Sequence, residues 1–293
     1  MGKSLANQFA FWKKSSAKTE IGVYLSETRL CVFCPATATE PEKYQTFELQ
    51  NNDWHDAFAQ VAKHCPASKM HITLAASLYQ VILADKPAVD DAEIPQALLW
   101  AVKDLVSVPV ANIHLDYFAS PIASIAKINV VVVDKTMMQS IAAAAEQHDL
   151  LIAGVSIEEL ILSNLTREDE ASRMLICHLP EQELLLTVIR QGELYMQRRI
   201  RGFNQVDKSS ADELSYGSAD NLSLEIQRSM DYYESQLRQP PVNEIQILME
   251  GEAAALAQLV AVNFNQTVCA LDKTSVAERI AQLSFGEFAR EAV

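Results

Sequence analysis

Apolar runs broken by short polar turns recur along this chain in two similar series. The first opens with Ile21 to Leu25, a polar break at Ser26-Glu27-Thr28, and Leu30 to Phe33. The second opens with Met174 to Leu179, a break at Pro180, Leu184 to Arg190, a turn at Gln191-Gly192-Glu193, and Leu194 to Met196. Large and β-branched residues suit a pleated surface, and the polar breaks suit hairpin turns. The pattern therefore predicts a β-hairpin at the head of each half.

Behind the first hairpin, the spacing predicts a strand over 44–49 and a helix from Asp53, as cap, to Lys63. Strands follow over 70–75 and 79–84. Ile94, Leu98, Ala101, Val102 and Leu105 repeat at helical spacing and predict a helix over 90–106. Asp90, Asp91 and Glu93 stand where carboxylates favour its positive end, and they read as caps. A strand over 112–118 precedes the run Lys127 to Asp134, whose four consecutive valines suit a buried strand. Met137, Ile141, Ala144 and His148 line a helix, 150–155 returns as a strand, and Ser156 reads as the cap of a helix over 157–164. Residues 165–173 are polar and read as a seam.

Behind the second hairpin, 207–221 reads as a loop. Leu222, Ile226, Met230, Tyr233 and Leu237 form the strongest helical stripe in the chain, expected to pack on its parent sheet. A strand over 244–249, a helix over 252–262, a strand over 267–271 and helical turns over 275–290 complete the series. Strands alternating with helices in both halves point to an α/β class. The expected organisation is a tail over 1–18, a first half over 19–165 and a second half over 166–293.

Composition narrows the function. The chain has 293 residues, 49% of them apolar, enough for one or two buried cores. Its net charge of −14 argues against nucleic acid, whose phosphates require Lys and Arg. No apolar run approaches the ~20 residues that span a bilayer, and no secretory signal is recognisable, so the expected compartment is the cytosol. Residues 1–18 carry Lys3, Lys13, Lys14 and Lys18 with Phe9, Phe11 and Trp12. They read either as a frayed basic tail or as a segment that touches a membrane surface. Cys31, Cys34, Cys65, Cys177 and Cys269 sit mostly in strand-like runs and read as buried or edge thiols. A strand puts Cys31 and Cys34 on opposite faces, and no second pair completes a zinc site.

The chemistry of the turns is the informative part. The chain has 8 glycines where average usage gives roughly 20. Phosphate cradles need glycine for close backbone approach, and no GxGxxG, GxxxxGK[ST] or GxSxG motif is present. The six histidines are scattered, so no local metal motif forms. His114 and Asp116 read as an exposed polar pair, and His178 as a turn histidine. Arg198, Arg199 and Arg201 form the densest basic cluster, which fits a solvated strand end or an acidic ligand equally well.

Four stretches together resemble a family. Tyr79 to Pro87, the helix ending at Ser107-Val108-Pro109, and Ile113 to Tyr117 resemble the small inserted subdomain of the type IV pilus assembly protein PilM. Val130 to Asp134 with the helix after it and Leu150 to Glu159 resemble that family's strand-helix-strand before its interdomain seam. Glu225 to Tyr233, with Ile245 to Leu248 and Glu250-Gly251, resembles its late helix and adenosine-side turn; Leu283 to Arg290 resembles its closing helix. Within the family, the short, glycine-poor form is most similar to members that serve mannose-sensitive haemagglutinin (MSHA) pili.

The resemblance implies an actin-like fold, a duplicated RNase H-like α/β fold, with a small inserted α+β subdomain over about 76–122. It implies a cytoplasmic protein held at the inner membrane. Its partner would be a bitopic inner-membrane protein, PilN-like, whose short cytoplasmic N-terminal segment docks near the insert. Tyr79, Ile82, Leu98, Val108, Ile113 and Tyr117 are the candidate docking residues. The family's first phosphate loop has Asp and Gly where this chain has Tyr24 and Ser26; its second has Asp and Gly where this chain has His178 and Pro180. Its adenosine turn has paired glycines where this chain has Glu250-Gly251. Pro180 offers no N–H to a phosphate, and Tyr24 offers no charge to a cation. The expectation is a non-catalytic adaptor with no cofactor, neither ATP nor Mg²⁺, and no metal. The alternative is a nucleotide-binding ATPase of a pilus or type II secretion machine, with Asp207 or Asp231 supplying the missing carboxylates.

Overall fold

The computed structural model describes residues 19–38, 40–50, 53–122, 125–166, 170–271 and 275–288. The basic segment over 1–18 lies outside them. The chain divides into two units, one running to Ile161 and taken up again from Ile280, the other spanning Leu162–Arg279.

The first unit begins with β1 (Thr19–Leu25), β2 (Arg29–Cys34), β3 (Lys43–Glu48), α1 (Trp54–His64) and β4 (Ser68–Leu74). It continues with β5 (Tyr79–Asp85), α2 (Ile94–Val102), β6 (Ile113–Ala119), β7 (Lys127–Asp134), α3 (Lys135–Gln147), β8 (Leu151–Ile157) and α4 (Glu158–Ile161). The second unit holds β9 (Arg173–His178), β10 (Leu184–Arg190), β11 (Glu193–Ile200), a helical turn α5 (Ala211–Glu213), α6 (Ala219–Asp231), β12 (Glu244–Met249), α7 (Ala253–Ala261) and β13 (Thr267–Ala270). The last helix, α8 (Val276–Phe285), starts in the second unit and ends in the first.

The two main sheets repeat one topology. Their strand orders are β3-β2-β1-β4-β8 and β11-β10-β9-β12-β13. In each, three strands meander antiparallel, the fourth pairs parallel with the first, and the fifth pairs parallel with the fourth. The duplication expected from the two hairpins is thus present at the level of strand order. In the first unit, Ile21, Val23, Ile72 and Leu74 pack with Phe58 of α1 and Ile141 of α3. In the second, Leu222, Ile226, Met230 and Tyr233 pack on β9, β10 and β12, and Leu237 lies against the same core.

The insert between β4 and α3 is a sheet in the order β5-β7-β6 covered by α2. It reaches to Asp134, because β7 is its central strand, antiparallel to both neighbours. That position explains the valine run. Ile128, Val130 and Val132 face α2, while Val131 and Val133 join the main core. A central strand covered on both faces has no polar side.

Three local expectations are corrected. The helix expected over 90–106 is α2 alone: Asp90 to Glu93 form a turn, no side chain caps the helix, and Leu105 is 62% exposed. Ile94, Leu98 and Val102 keep the buried stripe; Ala101 and Leu105 fall off it. Ser156 is not a cap, since β8 continues through Ile157. The loop expected over 207–221 is largely helical, opened by a reciprocal Ser210–Glu213 capping box and kinked at Gly217, whose φ is +103°. Short polar residues read as loop because they compete with the backbone, but here Ser210 spends that tendency as a cap.

One close approach fixes the C-terminal helix. A Cβ on Gly22 would fall inside contact distance of the backbone of Ala281 and Phe285. Bare backbone at Gly22 therefore lets α8 lie against β1. Thr73 and Ser284 hydroxyls are 2.6 Å apart beside it.

Candidate functional site

The positions that the resemblance aligns with phosphate loops carry side chains already committed to the fold. In the first unit, Tyr24 and Leu25 end β1, and Ser26 begins the turn to β2. Tyr24 is buried, and its hydroxyl donates to Glu158 Oε1 at 2.8 Å. The Ala76 N–H reaches the same carboxylate oxygen at 3.3 Å. Ser26 closes its own hairpin: its N–H and hydroxyl both donate to the Arg29 carbonyl, and its Oγ accepts from the Arg29 N–H. Neither residue is left to meet a cation or a phosphate.

In the second unit, the β9–β10 turn runs from Leu179 to Gln182, closed by the Gln182 N–H on the Leu179 carbonyl at 3.1 Å. Pro180 fixes the first corner, and Glu181 takes a φ of +66° at the second. This is the geometry of a type II turn with Glu at the place that favours glycine. His178, at the end of β9, is 1% exposed. Its Nδ1 is 3.7 Å from Asp207 Oδ1, beyond a hydrogen bond. Burial pushes the His178 pKa down, opposed by the carboxylates of Asp207 and Glu250 and by the backbone of Asn204 and Gln182. A turn histidine was the sequence expectation; a buried strand-end histidine is the outcome.

The turn at Glu250-Gly251 is also engaged. Glu250 Oε1 accepts from Ser275 Oγ at 3.1 Å and from the Val276 N–H at 3.3 Å, which caps the start of α8. Gly251 has a φ of +77°, and a Cβ there would collide with the Asp207 carbonyl. That glycine serves packing against the 206–208 turn. Asp207 stands by His178, and Asp231 receives Gln227 Nε2 at 2.8 Å on α6. A magnesium nucleotide needs carboxylates free to ligate and backbone free to approach phosphate. Tyr24, Ser26, His178, Pro180, Glu250 and Gly251 do not fit it.

The candidate docking residues separate in space. Tyr79 is buried in the main core and donates its hydroxyl to Glu159 Oε2 at 2.5 Å. Leu98 is fully buried in the core of the insert, and Ile82, Val108, Ile113 and Tyr117 pack around that core, partly exposed. Tyr79 and Val108 also line a cleft of about 820 Å³ beside α1 and α3, whose walls carry Asp53, His55, Gln80 and Asp134.

A different surface was not foreseen. Two cavities, of about 270 and 260 Å³, share Val131, Gly154, Val155, Ser156 and Ile157 and so form one groove along β8. Its opposite wall is the β6–β7 face, with Tyr117 and Phe118 at one end and Val133 with Met138 of α3 at the other. Among the described residues, β8 ends its sheet and pairs only with β4. The groove thus sets an apolar floor beside a strand edge. The sequence signal was the apolar run Leu151 to Val155, unusual for an edge strand. Elsewhere on the insert, Leu83, Trp100 and Val110 are more than half exposed. The arginine cluster is engaged in part: Arg198 pairs with Glu225 at 2.7 Å and Arg201 with Glu183 at 3.0 Å. Among the described residues, no helix is long and apolar enough to cross a membrane.

No protein-family model and no curated protein sequence matches the chain. Solved structures do. A PilM-PilN type IV pilus biogenesis complex matches with a TM-score of 0.63 at 11% identity, over 94% of this chain and 99% of the other. The cytoplasmic domain of EpsL, an inner-membrane component of the Vibrio cholerae type II secretion system, matches with a TM-score of 0.55 at 13% identity, over 94% and 95%. A Bacteroides thetaiotaomicron protein of actin-like ATPase fold and unknown function matches with a TM-score of 0.50 at 11% identity, over 93% and 99%. Similarity at this level of identity establishes architecture, and together with the duplicated sheet order it gives the conclusion that this chain has the actin-like ATPase fold.

Proposed function

We propose that this protein is a non-catalytic, PilM-like adaptor of type IV pilus biogenesis, of the kind that serves MSHA pili and similar to MshI. It works in the cytoplasm at the inner membrane. There it binds the cytoplasmic N-terminal segment of a bitopic, PilN-like pilus protein and links it to the assembly motor. The observation that carries this reading is the apolar groove along β8. An extended segment can place alternate apolar side chains on Val155, Ile157 and Tyr117 while its backbone follows the open edge. The similarity to a PilM-PilN complex supports the class of partner. The engagement of Tyr24, Ser26 and Glu250 in internal hydrogen bonds supports a role without nucleotide hydrolysis.

The test is a binding titration with a synthetic partner segment. Val155→Lys and Tyr117→Ala are expected to weaken it at least ~10-fold while leaving far-UV circular dichroism and Tm near the parent, since burial of one apolar side chain is worth ~1.5–3 kcal/mol. Unchanged affinity in both variants would remove the groove from the reading.

A further inference from the structure

We infer that the second unit carries a membrane-docking site, which takes the phosphate of an anionic phospholipid headgroup on Arg201 and Arg228 and sets Leu224 and Tyr216 against the lipid beside it. The site is a cavity of about 330 Å³ between the end of β11 and the first turns of α6. Asn221, Leu224, Glu225 and Arg228 follow one another at helical spacing and so share one face of α6. Arg201 and Gly202, just past β11, form the facing wall.

The charge at this cavity runs against that of the chain. The protein carries a net charge of −14, yet among the described residues lining the cavity Glu225 is the one acid. That carboxylate is already engaged: Arg198 donates to one oxygen at 2.7 Å and Arg228 to the other at 2.6 Å. Arg201 meets Glu183 through Nε, at 3.0 Å, and its side chain is 92% exposed. Its two terminal nitrogens have no acceptor among the described residues. Three guanidiniums thus stand against two carboxylates. A phosphate accepts parallel N–H bonds from a guanidinium fork, and it is the group that this excess of donors fits. Ser218 and Asn221 add a hydroxyl and an amide to the same wall. Gly202 leaves bare backbone beside them, with nothing within 4 Å of where its Cβ would stand.

The apolar neighbours decide the source of the phosphate. Leu224 lines the cavity and is 56% exposed. Tyr216, in the kinked segment two residues before Ser218, is 85% exposed. A free phosphate ion is met by polar groups and has no use for a leucine and a tyrosine held in water. A bilayer surface meets both needs, with phosphate at the headgroup level and acyl chain below it. Tyrosine suits that boundary because its ring is apolar and its hydroxyl polar. The inference concerns how the protein meets the membrane and lies wholly within the second unit. It stands or falls independently of the groove along β8.

The experiment sediments the whole protein with vesicles of phosphatidylcholine, with and without phosphatidylglycerol. Binding is expected where phosphatidylglycerol is present, absent on phosphatidylcholine alone, and weaker as salt rises. Arg201→Ala and Arg228→Ala should each weaken it ~5-fold, a loss that the basic segment over 1–18 does not make good. Arg201→Lys and Arg228→Lys, which keep the charge and remove the fork, should retain only part of the affinity. Leu224→Ser with Tyr216→Ser should weaken vesicle binding and leave its salt dependence unchanged. These side chains are exposed, so Tm should stay near the parent. Equal sedimentation of the parent and the Arg201→Ala, Arg228→Ala double variant would overturn the proposal. So would equal binding to both kinds of vesicle, or saturable binding of inorganic phosphate or a phosphopeptide by a protein that ignores the vesicles.

Discussion

Tyr24 and Glu158, 134 positions apart, share a buried hydrogen bond of 2.8 Å, with the tyrosine 1% exposed and the glutamate 0% exposed. The pair joins the end of β1 to the start of α4, so the tyrosine at this turn has a structural partner of its own.

Removing the hydroxyl leaves a buried carboxylate short of a donor, which costs ~1–3 kcal/mol. Tyr24→Phe is expected to lower unfolding stability by that amount in urea denaturation. Tyr24→Asp should cost more, because it sets two carboxylates together out of water. It is not expected to restore nucleotide binding.

Gly22 carries the second expectation. Any Cβ there meets the backbone of α8 at Ala281 and Phe285, and backbone cannot swing away as a side chain can. Gly22→Ala is expected to destabilise by ~1–3 kcal/mol through overpacking, and Gly22→Val by more. Differential scanning calorimetry checks both. An unchanged Tm in Gly22→Ala would mean that α8 does not rest on β1.

His178 sets a pH dependence. Its pKa in the fold lies below the ordinary value near 6.5, because burial disfavours the cation. The unfolded chain therefore binds more protons as pH falls through that range. The stability it supports is complete above about pH 6.5 and is lost as pH falls toward the depressed value. His114, also held down chiefly by burial, acts with the same sign. The lowered carboxylates Glu40, Asp134 and Glu213 act only in the more acidic range where carboxyls titrate. Unfolding free energies from pH 7.5 to 5.5 should fall for the parent and fall less steeply for His178→Asn, the remainder belonging to His114.

Much of this was legible in the chain. The hairpins, β7 and β12 follow from runs of apolar residues, and the α6 stripe from helical spacing, because one-dimensional periodicity reports which faces are covered. The residues at the turns, Tyr24 and Pro180, were legible too; what those turns pack and pair with was not. Nothing in the run Ile157 to Glu159 marks Glu158 and Glu159 as the buried partners of Tyr24 and Tyr79, which come to them from strands distant in sequence. Leu98 and Tyr79 read as possible docking residues, but the same apolar character serves a core, and only packing distinguishes the two uses. The β8 groove was missed because its walls come from strands distant in sequence.

The most direct measurement is calorimetric titration of the intact protein with the N-terminal cytoplasmic segment of its pilus partner, with and without ATP and Mg²⁺. The account expects binding at about micromolar Kd, the same in both conditions, and no heat from ATP and Mg²⁺ alone. Segment binding that requires ATP, or a saturable heat of ATP binding, would contradict it.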